Sequence, residues 1–247
     1  GSIDLPLAEA SLLPKEYVKA IVEDDVYRMD GIKRDTNKMR LLLRSLARNE
    51  STTVTNRTLK NDVKEIDDED IDANTINEYL NIFERLFLIN NQKPFAASVR
   101  SSVRIKQAVK RHFVDPSISA ALLGVTSSSL LNDLETLGLL FEALCERDLQ
   151  IYADAFGGSL YHYQDYKNRE IDAVVECPDG EWCAFEIKLG ANQIDAAAEG
   201  LLRLKAEFEA DPRGRPPKVL CVLCGLSNAA YQRPDGVFVV PLTALRD

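Results

Sequence analysis

The fold of this chain is decided by residues 169–190, which read REIDAVVECPDGEWCAFEIKLG. Two runs rich in β-branched and aromatic residues alternate with a period of two and flank a Pro-Asp-Gly turn, a pattern that predicts an antiparallel hairpin. On the second strand Glu186 and Lys188 are expected to share a face, because side chains two apart on a strand point the same way. If the register places Asp172 opposite Glu186, two carboxylates and one ammonium converge. The apolar residues expected on the other face of the first strand are Ile171, Ala173 and Val175.

Such a group of charges is suited to metal-dependent phosphodiester chemistry. Asp172, Glu186 and the backbone carbonyl of Ile187 offer the hard oxygen ligands that Mg²⁺ or Mn²⁺ prefers, and Lys188 is placed to orient water or to stabilise developing charge. This pattern resembles the motif of the PD-(D/E)XK nuclease superfamily, in which an Asp is followed, after a gap of about a dozen residues with a turn, by Glu-x-Lys. The alternative is a hairpin that carries only a cross-strand salt bridge of little energetic value.

Composition limits the class of protein. The chain has 247 residues, is 45% hydrophobic and 28% charged, and carries a net charge of −9. This length allows two domains, while the negative charge argues against a general DNA-coating protein. No apolar run is long enough for a membrane span and no signal-peptide pattern is present, so we predict a cytoplasmic protein with no membrane partner. The chain opens with Gly1-Ser2 and no Met, which we interpret as a processed tag on a piece of a longer protein.

Cysteine and histidine usage argues against several kinds of site. The five cysteines are odd in number and scattered, which favours a reducing compartment over a disulfide framework. Cys221 and Cys224 have Cys-x-x-Cys spacing, but they lie in an apolar run and are interpreted as part of a buried strand. Because His112 and His162 are the only histidines, a His-rich metal site or a His-based triad is poorly supported.

The first part of the chain, residues 1–125, is predicted to be a mostly helical domain. Apolar periodicity predicts helices over 13–29, over 37–48, from about residue 55, and after a cap at Asn74 or Thr75. With the apolar stretches 86–89 and 111–114 that follow, these helices resemble a winged helix-turn-helix.

DNA reading by that domain has mixed support. The last of the four helices exposes Asn77, Asn81 and Arg85, but also Glu78 and Glu84, and it follows the acidic stretch 67–72. Since these carboxylates repel phosphate, protein contacts are the preferred interpretation. A basic cluster fits either a wing on a nucleic-acid backbone or a solvated loop, and consists of Arg100, Arg104, Lys106, Lys110 and Arg111.

Residues 126–247 are predicted to form an α/β (α+β) restriction-endonuclease-like core. We expect a long helix over 130–148 capped within 127–129, a strand over 159–164, the hairpin, a helix over 193–210, and strands over 218–224 and 236–240. Glu142 lies at the edge of the long helix's apolar stripe, where it either completes the metal site or is a solvated glutamate, whereas Glu135 and Glu146 point further out. Gln193 is placed where it can contact substrate or metal-bound water.

Seven short segments in order carry a resemblance to a family. They are EDDV at 23–26, TINEYL at 75–80, LFLI at 86–89, HFVDP at 112–116, GLLFE at 138–142, EID at 170–172 and FEIK at 185–188. The chain resembles the uncharacterised C-terminal domain that follows a AAA-type ATPase module in many prokaryotic ATP-binding proteins. This resemblance implies a winged-helix part, a nuclease-like part, and an ATPase, with its ATP, in an N-terminal region missing here. The stretch 67–72 departs from it and looks inserted.

The resemblance also implies roles for individual residues. Asp172 and Glu186 would bind Mg²⁺ or Mn²⁺, Lys188 and Glu142 would be catalytic, and Gln193 would be an accessory. The first hypothesis is therefore a Mg²⁺-dependent nuclease-like domain that acts on DNA under control of an ATPase in the same polypeptide. The alternative is a catalytically inactive nuclease-fold module that binds nucleic acid or protein and regulates the ATPase. A dimerising adaptor is a third, weaker hypothesis.

Overall fold

The computed structural model describes residues 4–67, 70–96, 109–165, 169–211 and 214–245. It divides the chain into two compact units, one of residues 1–91 with 111–140 and one of residues 92–110 with 141–247. The boundary between residues 125 and 126 was inferred from composition, and it stays a prediction. Three members of the basic cluster, Arg100, Arg104 and Lys106, lie outside the described residues, as do Asp68 and Glu69 of the acidic stretch.

The first unit is mainly helical. Its elements are α1 Leu7–Ala10, α2 Leu13–Ala20, a π-helical turn Ile21–Asp25, α3 Val26–Asp30, α4 Thr36–Arg48, α5 Asn56–Asp67, α6 Ala73–Arg85, α7 Pro116–Leu123 and α8 Ser127–Leu130. Strands β1 Ile89–Gln92 and β2 Lys110–Phe113 pair as a two-stranded sheet. The helices predicted from apolar periodicity are therefore confirmed, because each packs its apolar face into one core that includes Met39, Leu42, Leu59, Ile76 and Phe83.

Two helix starts differ from the sequence predictions. Helix α6 is capped by Asp72 rather than by Asn74 or Thr75, since one Asp72 oxygen accepts the backbone N–H groups of Asn74 at 2.8 Å and Thr75 at 3.0 Å. A carboxylate at this position also interacts favourably with the positive N-terminal end of the helix dipole. The long helix expected over 130–148 is instead the short α8 followed by α9, Leu134–Ala155, whose first turn is held by bonds from Thr136 to Asp133.

A buried carboxylate organises the end of this first unit. Glu50 is 1% exposed and accepts the backbone N–H of Phe113 at 3.1 Å and the hydroxyl of Ser119. His112 Nδ1 lies 3.5 Å from the same carboxylate. A buried charge is tolerated only when hydrogen bonds satisfy it, so Glu50 ties β2 and α7 to the residues that follow α4.

The second unit contains a six-stranded mixed sheet. Its elements are β3 Ser159–Gln164, β4 Glu170–Glu176, β5 Trp182–Lys188, a 3₁₀ turn Ala191–Gln193, α10 Ile194–Ala210, β6 Val219–Cys224, β7 Tyr231–Gln232, β8 Phe238–Val240 and a 3₁₀ turn Leu242–Ala244. The strand order is β3-β4-β5-β6-β8-β7. Strands β3, β4 and β5 form an antiparallel meander, β6 is parallel to β5, β8 is parallel to β6, and β7 is antiparallel to β8. The predicted hairpin is confirmed, whereas β7 was missed.

The sheet is apolar on both faces. One cluster joins Leu201 of α10 to Trp182 and Val222, and the other joins Leu149 of α9 to Ile187 and Leu223. Strand β6 is therefore covered on both faces, which explains its continuous apolar sequence. Its cysteines, Cys221 and Cys224, are free and buried, as the interpretation of this run as a buried strand predicted.

Residues 93–95 extend the second unit beyond β3. The backbone N–H of Phe95 donates to the carbonyl of His162 at 2.6 Å, and the N–H of His162 donates to the carbonyl of Lys93 at 3.1 Å. Phe95 is fully buried and its ring lies 4.7 Å from that of Trp182. A segment remote in sequence thus completes this core.

The helices that the structure describes do not include a membrane-spanning segment. None of them combines the length and the apolar character that a membrane-crossing helix needs.

Candidate active site

The candidate site lies where the β4–β5 ladder ends. The last pair of the ladder is Ala173 with Phe185, so one further step would place Asp172 opposite Glu186, which is the register that the predicted site requires. At that step a side chain, and not the backbone of β4, supplies the hydrogen-bond acceptor: Asp172 Oδ2 accepts the backbone N–H of Ile187 at 2.7 Å. The carboxylate is thereby fixed between the two strands.

A register shift on β4 accompanies this change. Tyr161 of β3 pairs with Val174, and Tyr163 pairs with Ile171. Between these two pairs β4 contains one residue more than β3, which makes a β-bulge. Ile171 consequently packs in the same cluster as Val174, while Ala173 packs in the other. The expectation that Ile171 and Ala173 share a face was wrong, because the bulge interrupts the alternation. Asp172 lies in the bulged interval, between Ile171 and Val174.

Two of the predicted site residues, Asp172 and Glu186, converge on the ammonium group of a third, Lys188. Lys188 Nζ lies 3.0 Å from Asp172 Oδ2 and 2.6 Å from Glu186 Oε2. The side chains of both acids are 14% exposed and that of Lys188 is 26% exposed. The site is therefore largely desolvated but still open to solvent, and these charge-assisted bonds are stronger than they would be in water.

Burial shifts the pKa values of this group. The pKa of Glu186 is raised to about 7, first because burial disfavours the carboxylate and then because the charge of Asp172 repels it. Burial alone would lower the pKa of Lys188, but the charges of Asp172 and Glu186 outweigh it and the pKa is raised. Glu186 can consequently hold or release a proton near neutral pH, while Lys188 stays charged.

Glu142 belongs to the same electrostatic environment. Its carboxylate on α9 contacts Lys110 Nζ, and its side chain is 18% exposed. Its pKa is raised to about 7, chiefly by burial and further by the charge of Asp172, although Lys110 opposes both effects. Of the two interpretations of Glu142, a residue that completes the metal site or a solvated glutamate, its 18% exposure and its contact with Lys110 argue against the second, and the first stays a prediction.

Two residues of the site were not predicted. Glu146, expected to point outwards, is only 2% exposed, and Lys110 is 8% exposed with its Nζ 2.7 Å from Glu146 Oε1. The expectation for Glu146 was wrong because residues four apart share a helix face, so Glu146 follows Glu142 inwards. That spacing was the available signal. Lys110 was assigned to a basic cluster on a wing or in a solvated loop, which is wrong for this residue because it is buried between carboxylates 32 and 36 residues away in the chain.

Gln193 has a local role in the structure. It lies in the 3₁₀ turn after β5, is exposed, and its side-chain oxygen accepts the backbone N–H of Gly190 at 3.1 Å. This bond stabilises the start of α10. A contact of Gln193 with substrate or water stays a prediction.

The candidate ligands for a divalent ion in this site are carboxylate oxygens. In the part of the chain that the structure describes, no group of three or more His, Cys, Asp or Glu side chains forms a metal-binding cluster. Mg²⁺, however, is often held by only one or two carboxylates, with water and substrate phosphate filling the other positions. Asp172 and Glu186 provide that pair, and a cation there would relieve the repulsion that raises the pKa of Glu186. The residues present therefore fit one such ion.

A cleft opens beside Glu186. It has a volume of about 420 Å³, and its walls include Arg169, Glu186, Leu201, Arg203 and Glu207. Arg169 is held by ion pairs with Asp165 and Glu207, whereas Arg203 is exposed on α10. This size is in the range of ligand-binding clefts, so a substrate segment has room next to the carboxylates.

Comparisons with known families give two matches. Residues 2–129 match a family model described as "Domain of unknown function (DUF8612)", and residues 137–245 match one described as "Domain of unknown function (DUF4143)". Domains of the second kind are commonly associated with ATPase-containing proteins. A search of curated proteins and a search of solved structures each gave no match.

Proposed function

This chain belongs to the family described as a domain of unknown function (DUF8612), and we propose that its second unit is a Mg²⁺-dependent nuclease-like domain that acts on DNA. The observation that carries the proposal is the convergence of Asp172, Glu186 and Lys188 at the end of the β4–β5 ladder. The order of α9, three antiparallel strands, α10 and a parallel strand supports it, because this order is the one expected of a restriction-endonuclease-like core.

Each side chain has a defined role in this proposal. A bound Mg²⁺ or Mn²⁺ would polarise the scissile phosphate and lower the pKa of water. Asp172 and Glu186 would hold the ion, and Lys188 would donate hydrogen bonds to the attacking water or to a phosphate oxygen. Glu142 assists from α9, and the ion would compete with the proton that the Glu186 carboxyl, with a pKa of about 7, holds near neutral pH. Gln193 is an accessory contact.

The proposal extends to the first unit and to a partner. Three helices, α4 to α6, followed by the β1–β2 pair support a winged-helix-like module. Its helix α6 exposes Glu78 and Glu84 beside Asn77, Asn81 and Arg85, which favours a protein contact over base reading. The association of the second family with ATPase-containing proteins supports a partner ATPase module, to which ATP binding belongs.

One observation favours a second candidate function. Lys188 already bridges Asp172 and Glu186, so the charges of the site are balanced in part without a metal. The alternative is therefore a catalytically inactive nuclease-fold module that binds nucleic acid or protein and regulates the ATPase. Divalent-ion binding separates the two, because only the enzyme requires it.

The test is DNA cleavage by the whole chain and by matched variants. Supercoiled, linear and single-stranded DNA are incubated with Mg²⁺ or Mn²⁺ and the parent, Glu186→Gln or Lys188→Met. Cleavage is expected from the parent and is expected to fall at least about 100-fold in either variant. The matched controls are Glu181→Gln and Lys218→Met, each of which removes one charge of an exposed ion pair near the same hairpin. Both control variants should retain activity. Absence of cleavage together with absence of ion binding would reject the enzyme and leave the regulatory module.

A further inference from the structure

Lys110 is a buried cation to which the proposed chemistry assigns no role. Its side chain is 8% exposed, and its Nζ contacts a Glu142 oxygen and lies 2.7 Å from Glu146 Oε1. The same nitrogen is 3.5 Å from the backbone carbonyl oxygen of Asp172. Burial of a lysine is costly unless opposite charges surround it, and here two carboxylates do so. Lys110 is therefore held within the site, next to one of its proposed metal ligands.

The four carboxylates of the site are arranged as two pairs, each with its own ammonium. Asp172 and Glu186 surround Lys188, and Glu142 and Glu146 surround Lys110. The pairs are adjacent, because Lys110 also approaches the backbone of Asp172, and the charge of Asp172 acts on Glu142. This division agrees with the absence, among the described residues, of any cluster of three or more ligands around one point.

Two-metal phosphodiester-cleaving sites hold two ions about 3.5–4 Å apart, and each ion needs oxygen ligands of the kind that a pair of carboxylates provides. We propose, resting on the ion-dependent function above, that Lys110 takes the place of a second divalent ion, so that this site binds one ion per chain. The first ion belongs to Asp172 and Glu186. Both positions already have an ammonium that forms two charge-assisted bonds, but Lys188 at the first is 26% exposed, whereas Lys110 at the second is 8% exposed, so only there would an incoming cation have to displace the ammonium from a buried place.

The inference gives Lys110 a task that a purely structural lysine would lack. If Lys110 only stabilised the fold, its removal would lower stability without changing the number of ions bound. If it replaces an ion, its removal leaves Glu142 and Glu146 without their shared cation, and a divalent ion becomes the group that neutralises them.

The experiment is a Mn²⁺ titration of the whole chain, with bound ions counted by electron paramagnetic resonance and by calorimetry. The parent is expected to bind one ion and Lys110→Met two, while Lys110→Arg, which keeps the charge, binds one. The variant Lys110→Met/Glu142→Gln/Glu146→Gln, which has no uncompensated charge in this cluster, returns to one. Lys218→Met is the control for loss of a lysine remote from the site, and binds one.

The outcomes separate this inference from the proposed function. One ion in both the parent and Lys110→Met overturns the role of Lys110 and leaves the ion-dependent function standing. Two ions in the parent or in Lys110→Arg also overturn it. No ion in the parent rejects the metal site of the proposed function and this inference together. If Lys110→Met does not fold in metal-free buffer, recovery of a folded two-ion protein in Mn²⁺ supports the inference, and failure of Mn²⁺ to restore folding contradicts it.

Discussion

The carboxyl group of Glu186 is the titrating group with the most direct consequence for ion binding. Its pKa is raised from 4.5 to about 7, so at pH 6 much of it is protonated and unable to bind a cation. We expect Mn²⁺ affinity to rise by up to about tenfold per pH unit below pH 7, as one proton is released per ion, and to level off above it. Calorimetry in buffers of different ionisation enthalpy measures both affinity and proton release. Affinity that is constant from pH 5.5 to 8 would contradict the role of Glu186.

The same shift carries a cost in stability that Glu186→Gln should remove. A carboxyl with a raised pKa binds its proton more tightly in the folded than in the unfolded state, so its penalty is absent below about pH 4.5, grows between pH 4.5 and 7, and is complete above pH 7. In metal-free buffer at pH 8 the variant should be more stable than the parent by about 1–3 kcal/mol, with a much smaller difference at pH 5. Urea unfolding followed by fluorescence of Trp182, the single tryptophan, measures this. The exposed Glu181→Gln serves as the control.

At the scale of the element, the end of the β4–β5 ladder depends on the side chain of Asp172. Since Asp172 Oδ2 accepts the backbone N–H of Ile187, an alanine leaves that donor without this acceptor in a half-buried place. Asp172→Ala is expected to cost about 1–3 kcal/mol, whereas Asp172→Asn keeps an oxygen for the bond and loses less. Both variants should lose ion binding. Urea unfolding separates them, and equal stabilities would show that the bond contributes nothing to joining the strands.

The sequence predicted the elements of the second unit better than it predicted their local irregularities. Residues 170–176 and 182–188 alternate strongly and are joined by a short turn, so the hairpin follows from local chemistry. The bulge on β4 does not, because the alternation gives no sign of the extra residue between Ile171 and Val174, the interval in which the Asp172 side chain accepts the N–H of Ile187. The start of α6 was misplaced because Asp72 and Asn74 are about equally good capping residues, so the sequence alone does not choose between them.

The candidate site was predictable only in its local part. Asp172, Glu186 and Lys188 are tied by one hairpin, and Glu142 by the edge of an apolar stripe. Lys110 joins them through contacts 32 to 62 residues away in the chain, and no periodicity encodes such a distance. Glu146 was assigned outwards from its angle around the helix, and its partner Lys110, 36 residues away in the chain, gave no sign that it would be buried.

At the scale of the whole molecule, the extent of the second unit differs from the stretch that its family model matches. The family model described as DUF4143 matches residues 137–245, whereas the second compact unit also includes residues 92–110. This segment contributes Phe95, which is fully buried against Trp182, and Lys110, which neutralises Glu142 and Glu146. Without it the second unit would have an open core beside Trp182 and two uncompensated carboxylates.

A fragment of residues 126–247 is therefore expected to be less stable than the second unit of the whole chain. Loss of a buried phenylalanine alone costs about 3–5 kcal/mol, so Trp182 fluorescence should be red-shifted in the fragment and its urea midpoint lowered. A peptide of residues 92–110 added in trans should reverse both changes in part, and the same peptide with Phe95→Ala should do so less well. Phe95→Ala in the whole chain isolates the packing contribution from that of Lys110. A fragment as stable as the whole chain, with an unchanged emission maximum, would show that residues 92–110 are dispensable to this core.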